Sequence, residues 1–349
     1  MPEGLLRILP FDLGRAAAWQ DYVDRHADGT LFHGLAWKRA VERAFGHRPR
    51  YLMAFRDGPA VGVLPLFEVH SVLAGRLLVS VPYATYGGIL ADDEESGAAL
   101  FAQAKEIAAE IGARSIELRS ARAQVRGLEV RHRHVTFRKP LPPPGRDVLA
   151  WLPRKARAAA RRAAERYELT VDFDRSLLPI VWRLYSRSMR RLGSPNYPCR
   201  FFEELVAATG EANVVQLVRR QGRPVAGLLT FLHRDTVMPY FAGQDERESI
   251  YGLNNFLYAE SMRWGVEHGC RRYDFGRTRV DNLGSYDFKR FCGFDPQPLE
   301  YQLHVMPGRA AADLSPGSAR WSAARRMWQV LPLPITRSLG GWLAKSIPG

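Results

Sequence analysis

The chain contains a partial copy of itself, and nothing else narrows its fold as much. WQDY at 19–22 answers WRLY at 182–185. AFRDGPAVGVLPLF at 54–67 answers VRRQGRPVAGLLTF at 218–231, and AAEIGARSIELRS at 108–120 answers GVEHGCRRYDFGR at 265–277. The order is kept and the offset stays within about 157–165 residues. Collinear matches at nearly one offset imply two copies of one unit, roughly 10–140 and 170–306. The chain's 349 residues are long enough for two such domains.

One unit reads as an α+β (α/β) fold. Helical stretches at 15–27 and 36–45 precede YLMAFRDGPAVGVLPLFEV, two strand-like runs split by Asp57-Gly58, a hairpin signal. A strand at 76–82 follows, and then a helix from DDEESGAALFAQAKEIAAEIG, with acidic residues in its first turn and Gly112 after its last. SIEL and HVTFRK close the unit as strands. The second copy repeats the order, with its hairpin at 214–233 and a helix near 253–268. KPLPPPGRD at 139–147 is stiff and marks a boundary. The expected division is therefore 1–140, 141–306 (with a basic linker helix at 152–168) and a C-terminal appendage at 307–349.

Asp-Phe-Gly at 274–276 and His-Arg-Asp at 233–235 are words found in protein kinases, but the rest of that pattern is missing. Tyr240 stands where the catalytic loop needs Asn, and the chain has no G-x-G. No G-x-S-x-G elbow or P-loop occurs. His132 and His134 alternate on one strand without a third ligand, so no metal site is expected, and no cofactor. Cys199, Cys270 and Cys292 form no C-x-x-C and read as reduced thiols in a cytoplasmic protein, and no signal peptide or membrane-spanning run is evident.

Three segments carry chemistry. YDFGRTRVDNLGSYDFKRFCGF at 273–294 puts Asp274 at a strand end and then a polar loop from Arg277 to Ser285. YDFKRF follows, read as a strand with Tyr286, Phe288 and Arg290 on one side and Asp287, Lys289 and Phe291 on the other. The first copy lacks this continuation, which points to the second copy as the reactive one. WLPRKARAAARRAAERY at 151–167 places Arg154, Lys155, Arg157, Arg161, Arg162 and Arg166 on about half of a helix, with alanines opposite. Six like charges on one face call for an anion such as a phosphate. The formal charge of +14 agrees with an anionic partner. Finally, the appendage mixes Trp321, Trp328 and Trp342 with Arg and Lys. Trp321, Ala324, Trp328 and Leu331 form one stripe, which suits either a membrane interface or packing on the body.

These residues together carry a resemblance. LFHGLAWKRAVERAFGHRPRYL, YGGILADDE, LPRKARAAARR, RPVAGLLTF, YFAGQDE and the 273–294 segment resemble the FemAB-like aminoacyl/acyltransferases. The likeness is greatest to those associated with exosortase/PEP-CTERM systems. The resemblance implies two tandem GNAT-like domains and transfer of an aminoacyl or acyl group to an amine on a cell-envelope precursor, peptidoglycan or exopolysaccharide-related. The donor would be aminoacyl-tRNA or acyl-CoA, the acceptor anionic and phosphate-bearing. The protein would be cytoplasmic, with peripheral contact at the inner membrane. It also implies that Lys289, Asp274 and Tyr286 serve catalysis, and that Arg154, Lys155, Arg157, Tyr240, Arg277, Arg290 and Arg200 bind substrate. The pyrophosphate loop R/Q-x-x-G-x-G/A of ordinary GNAT enzymes is absent, which counts against acetyl-CoA. The rival expectation is a non-catalytic module that grips an anionic glycolipid or nucleotide-linked precursor at the membrane surface.

Overall fold

The computed structural model describes residues 4–72, 74–310 and 319–347, without the side chains of 319–321. The expectation for Trp321 therefore lies outside the described side chains. Two compact units emerge: residues 4–132, 299–310 and 342–347 form the first, and 133–298 with 319–341 the second.

In the first unit, strand Leu6–Pro10 pairs antiparallel with Leu52–Arg56, which forms a hairpin with Ala60–Leu64. Asp57 (φ 49°) and Gly58 (φ 118°) make the turn, as the Asp-Gly pair predicts. A second sheet joins Arg48–Pro49, Phe67–Ser71, Gly75–Val79, Ser115–Leu118 and the 302–305 stretch of strand Pro296–Val305. Helix Glu94–Glu110 starts on Asp93, whose carboxylate accepts from Ser96 N at 2.7 Å. Leu100, Phe101, Ala104 and Ala108 are its buried face. Trp19 and Trp37 are fully buried, and each indole N–H finds a carbonyl, of His33 and of Pro82.

The second unit repeats the plan. Leu169–Phe173, Asn213–Arg220, Arg223–His233 and Thr236–Gln244 form an antiparallel series. Arg272–Asp274 adds to it in parallel, after helix Leu253–Glu267. Helices Leu178–Leu192 and Cys199–Thr209 stand where Ala16–Arg25 and Leu35–Phe45 stand in the first unit's order. His233-Arg234-Asp235 is the tip of a hairpin, with Arg234 at φ 54°. Asp235 accepts from the backbone of Arg271 and Arg272 and pairs with the Arg272 side chain. Nothing about it is kinase-like.

The units do not follow chain order to their ends. Residues 138–140 of strand Glu129–Pro140 pair with Arg272–Asp274 in the second unit, while 302–305 pair with Ser115–Leu118 in the first. The end of the proline-rich connector's first half is thus strand, and Leu141 N still donates to Arg271 O.

One expectation fails outright. YDFKRF is not a strand but part of helix Leu283–Phe291, started by Asn282, whose side chain accepts from Ser285 N. The alternation of Tyr286 and Phe288 imitated a period of two. The stronger pattern is Tyr286, Lys289 and Cys292 at spacing three, with Phe288 between, which is one helix face. The change matters, because a strand would put Tyr286 and Lys289 on opposite sides and a helix puts them on the same one. Thr278–Arg279, expected as loop, is a short strand on His134–Val135.

Candidate active site

Strand Arg272–Asp274 runs antiparallel to Glu129–Pro140, with Asp274 opposite Arg138. Pairing resumes with Thr278 opposite Val135. One strand has advanced four residues and the other three, so Phe275–Arg277 holds one extra residue: a β-bulge. Bulges re-aim side chains, and this one follows the exit of a central strand. Gly276 (φ 65°) supplies the left-handed turn that the bulge needs.

Two buried ionisable groups hold the bulge from inside. Asp274, 4% exposed, accepts from Gly276 N at 2.7 Å and from Thr136 Oγ1 at 2.9 Å. Lys289, 7% exposed, reaches up from its helix and donates to Phe275 O at 3.1 Å and to Thr278 Oγ1 at 2.6 Å. Its ammonium lies 5.2 Å from the ring centre of Phe275 and 5.5 Å from that of Phe137. Burial pulls Lys289 from 10.5 down to about 7, against the opposing pull of the Asp274 charge. A protonated lysine has three N–H groups, and two are committed here. Tyr286 lies one helical turn from Lys289 and packs edge-on against Phe137 at 5.3 Å. Arg277 is half-buried on the bulge itself.

The basic helix forms as expected, over Arg154–Tyr167. Its buried side is Ala156, Ala159, Ala160 and Ala163. This flat face lets helix Leu253–Glu267 come close, and a Cβ on Gly252 would sit 2.2 Å from Ala159 O. Only glycine fits there, at φ 80°. On the other side Arg154, Lys155, Arg161, Arg162 and Arg166 are exposed, while Arg157 is half-buried and bonds Ala150 O. Arg161 has one distant carboxylate, Asp147 at 3.7 Å. Among the described residues Arg154, Lys155 and Arg162 make no ion pair, so their repulsion is uncompensated within the protein.

The basic helix and the Lys289 helix meet at their ends. Pro153, the N-cap of the first, presses on Gly293, which follows the second: a Cβ on Gly293 would sit 2.8 Å from Pro153 Cγ. Trp151 packs edge-on against Phe294, and Lys139 Nζ lies 4.0 Å over the Trp151 ring. Helix Leu253–Glu267 supports both, through Gly252 beneath the basic helix and Tyr258 against Phe288 and Phe275.

The structure thus gathers Asp274, Lys289, Tyr286 and Arg277 at the bulge, and Arg154 and Lys155 at the abutting helix start. Arg290 is exposed on the last turn of the Lys289 helix. It does not gather the rest. Tyr240 packs with Phe231 and Phe241, and Arg200 is exposed on its own helix, 3.7 Å from Glu204. Thr136 and Thr278 hold the two buried charges. Their only signal in the sequence is a hydroxyl, one on the strand expected at HVTFRK and one in the segment expected as loop. No group of three or more potential metal ligands occurs among the described residues.

Residues 152–290, from just before the basic helix into the last turn of the Lys289 helix, match the family described as acetyltransferase (GNAT) domain. No curated protein matches the chain. Among solved structures, FemX is similar with a TM-score of 0.65 at 16% identity, covering 86% of this chain and 97% of that one. A tandem GNAT protein from the clavulanic acid biosynthesis pathway is similar with a TM-score of 0.55 at 12% identity, covering 86% and 98%. L-PGS from Bacillus licheniformis reaches 0.54 at 15% identity, covering 96% and 97%. The protein has a tandem GNAT fold, similar to that of FemX, and its residues 152–290 match an acetyltransferase family.

Proposed function

We propose that this protein transfers an aminoacyl group from an activated ester to an amine on an anionic, phosphate-bearing cell-envelope precursor. The observation that carries the reading is the extent of the GNAT match. Its span, 152–290, takes in both the cation stripe and the bulge held by Lys289 and Asp274. The stripe on Arg154–Tyr167 suits phosphates, and Arg154 and Lys155 start it beside the turn that ends the Lys289 helix. The likeness to the exosortase-associated branch supports a surface-polysaccharide or protein-sorting context for the acceptor.

The donor is argued from the same elements. Ordinary GNAT enzymes seat a pyrophosphate at a helix N-terminus behind a glycine-rich loop. Here that motif is absent, and Gly252, at the start of helix Leu253–Glu267, packs so close to the basic helix that a Cβ there would sit 2.2 Å from Ala159 O. An aminoacyl ester is the better fit than acetyl-CoA.

In the reaction a neutral amine attacks the ester carbonyl carbon. The C–N bond forms, the C–O bond breaks, and the leaving alkoxide takes the proton that the amine loses. Chemistry of this kind needs placement and stabilisation of the developing oxyanion more than a strong base. Lys289 supplies positive charge directly behind the bulge, Asp274 fixes the bulge and orients the amine, and Tyr286 shapes the cleft wall. Two variant pairs test the reading, with transfer followed by mass spectrometry of charged tRNA, acyl-CoA and envelope precursors. Arg154→Glu/Lys155→Glu should abolish acceptor binding, and Asp274→Asn/Lys289→Met should abolish transfer while binding survives. A binding module would fail only with the first pair. A Lys289→Ala rate within about twofold of wild type would remove Lys289 from the mechanism, since one lost oxyanion donor costs about 10²–10³.

A further inference from the structure

The last helix, Leu333–Ser346, is amphipathic in the wrong direction for a helix that only packs. At 100° per residue Thr336, Gly340 and Ala344 share one face, and Ile335, Leu339 and Trp342 share another, centred about 130° around the helix. The small face is the buried one. Thr336 is 1% and Ala344 2% exposed, and a Cβ on Gly340 would sit 2.3 Å from Asn196 Oδ1. The Ala344 carbonyl also accepts from Tyr83 OH at 3.1 Å. The large apolar face is left in solvent, with Ile335 43%, Leu339 46% and Trp342 61% exposed. Met327 and Val330 stand out equally on the preceding helix, Ala319–Val330. A packing helix turns its bulky stripe inward, and an exposed one marks something else to be covered.

Charge identifies the covering surface. Residues 314–349 contain no Asp or Glu, but five cations: Arg320, Arg325, Arg326, Arg337 and Lys345. A second copy docked through the same face would set these like charges against each other. An anionic lipid surface meets both requirements at once. Its acyl region takes Leu, Ile and Trp side chains, and its phosphates take the cations. Tryptophan is favoured at that boundary. None of the described helices is long and apolar enough to cross a membrane, so the helix would lie in the surface plane.

We propose that Leu333–Ser346 is a membrane-surface helix that inserts Ile335, Leu339 and Trp342 into an anionic leaflet, with Lys345 and Arg326 at the headgroups. This assignment stands on the tail alone and does not depend on the transferase reading.

Flotation with vesicles tests it, using phosphatidylcholine alone and phosphatidylcholine mixed with phosphatidylglycerol. The full-length protein should float with the mixed vesicles and much less with the zwitterionic ones, and added salt should weaken binding. Leu339→Ser/Trp342→Ser should reduce partitioning at least about tenfold, since two large side chains no longer leave water. Both positions are exposed, so an unchanged melting temperature will show that this variant is folded. Arg326→Glu/Lys345→Glu should bind more weakly to the mixed vesicles only. Three results overturn the proposal. One is that wild type does not float with either vesicle. Another is salt-sensitive binding untouched by Leu339→Ser/Trp342→Ser, which would assign the contact to the basic helix alone. The third is a wild-type dimer in sedimentation, lost in that variant without any vesicle binding, which would make the cover a second copy.

Discussion

The two copies of the repeat end their central strand at the same place and solve the same problem differently. Glu117 in the first copy aligns with Asp274 in the second. Both strands run parallel to a neighbour, Ser115–Leu118 to Gly75–Val79 and Arg272–Asp274 to Thr236–Gln244. Each carboxylate binds a partner two residues on. For Glu117 this is the Arg119 side chain, 2.7 Å away and 1% exposed. For Asp274 it is the Gly276 backbone N–H, which leaves the side-chain position empty and lets the bulge form. The positive charge then comes from Lys289, fifteen residues later. An arginine never gives up its proton in a protein, whereas a buried lysine does so readily. The first copy therefore fixes a buried arginine on a half-buried glutamate. The second buries a lysine that burial pulls down to about 7.

Removing the carboxylate should expose this difference. Glu117→Ala leaves Arg119 charged and buried, and should cost about 3–5 kcal/mol of unfolding free energy in denaturant titration. Asp274→Ala should cost less, about 1–3 kcal/mol in all, because Thr136 Oγ1 has a second acceptor in Gly276 O and Lys289 relieves its own burial by losing a proton. Equal losses in the two variants would mean that the two sites do not differ in this way.

The lysine itself gives the next effect, one of pH. Between about 7 and 10.5 the unfolded chain holds a proton that folded Lys289 has released. Raising the pH across that window therefore favours the folded protein, and below it the full cost of the buried charge applies. Wild type should gain stability as pH rises from 7 toward 10, and Lys289→Met should lack that gain. Transfer by wild type should fall as Lys289 loses its charge above about pH 7, a limb that Lys289→Met would also lack. A wild-type stability curve flat over this range would refute the lowered ionisation.

The smallest stability effect is expected at the cation stripe. Arg154→Glu/Lys155→Glu should change stability by no more than about 0.5 kcal/mol, both side chains being exposed. The same variant should flatten the salt dependence of acceptor binding, read by titration at several ionic strengths. A stripe that matters for folding rather than binding would reverse that order.

Much of this was legible in the chain. Collinear matches foretold two units with the same element order, because hydrophobic period and turn residues are local and repeat with the sequence. The basic helix was equally plain, since its charge and alanine faces separate at helical spacing within one segment. The 286–291 helix was not, because two aromatics at spacing two suggested a strand, and what decides is packing against Phe137, Phe275 and Tyr258. Nor could the sequence show that Lys289 is buried, since a lysine in a polar run reads as solvated. Its burial depends on Thr278 and on Phe275 O, acceptors placed by pairing with a strand some 140 residues earlier in the chain.

The sequence by itself determined the duplicated plan, the cation stripe and a last stretch, 314–349, with tryptophan and base and no acid. Those are properties of neighbours along the chain. Tertiary structure alone decided which strand closes each unit, which copy carries a titratable buried charge, and which face of the last helix looks outward. Each of these depends on groups distant in sequence competing for the same buried space, which takes Lys289 inside and leaves Ile335, Leu339 and Trp342 in solvent.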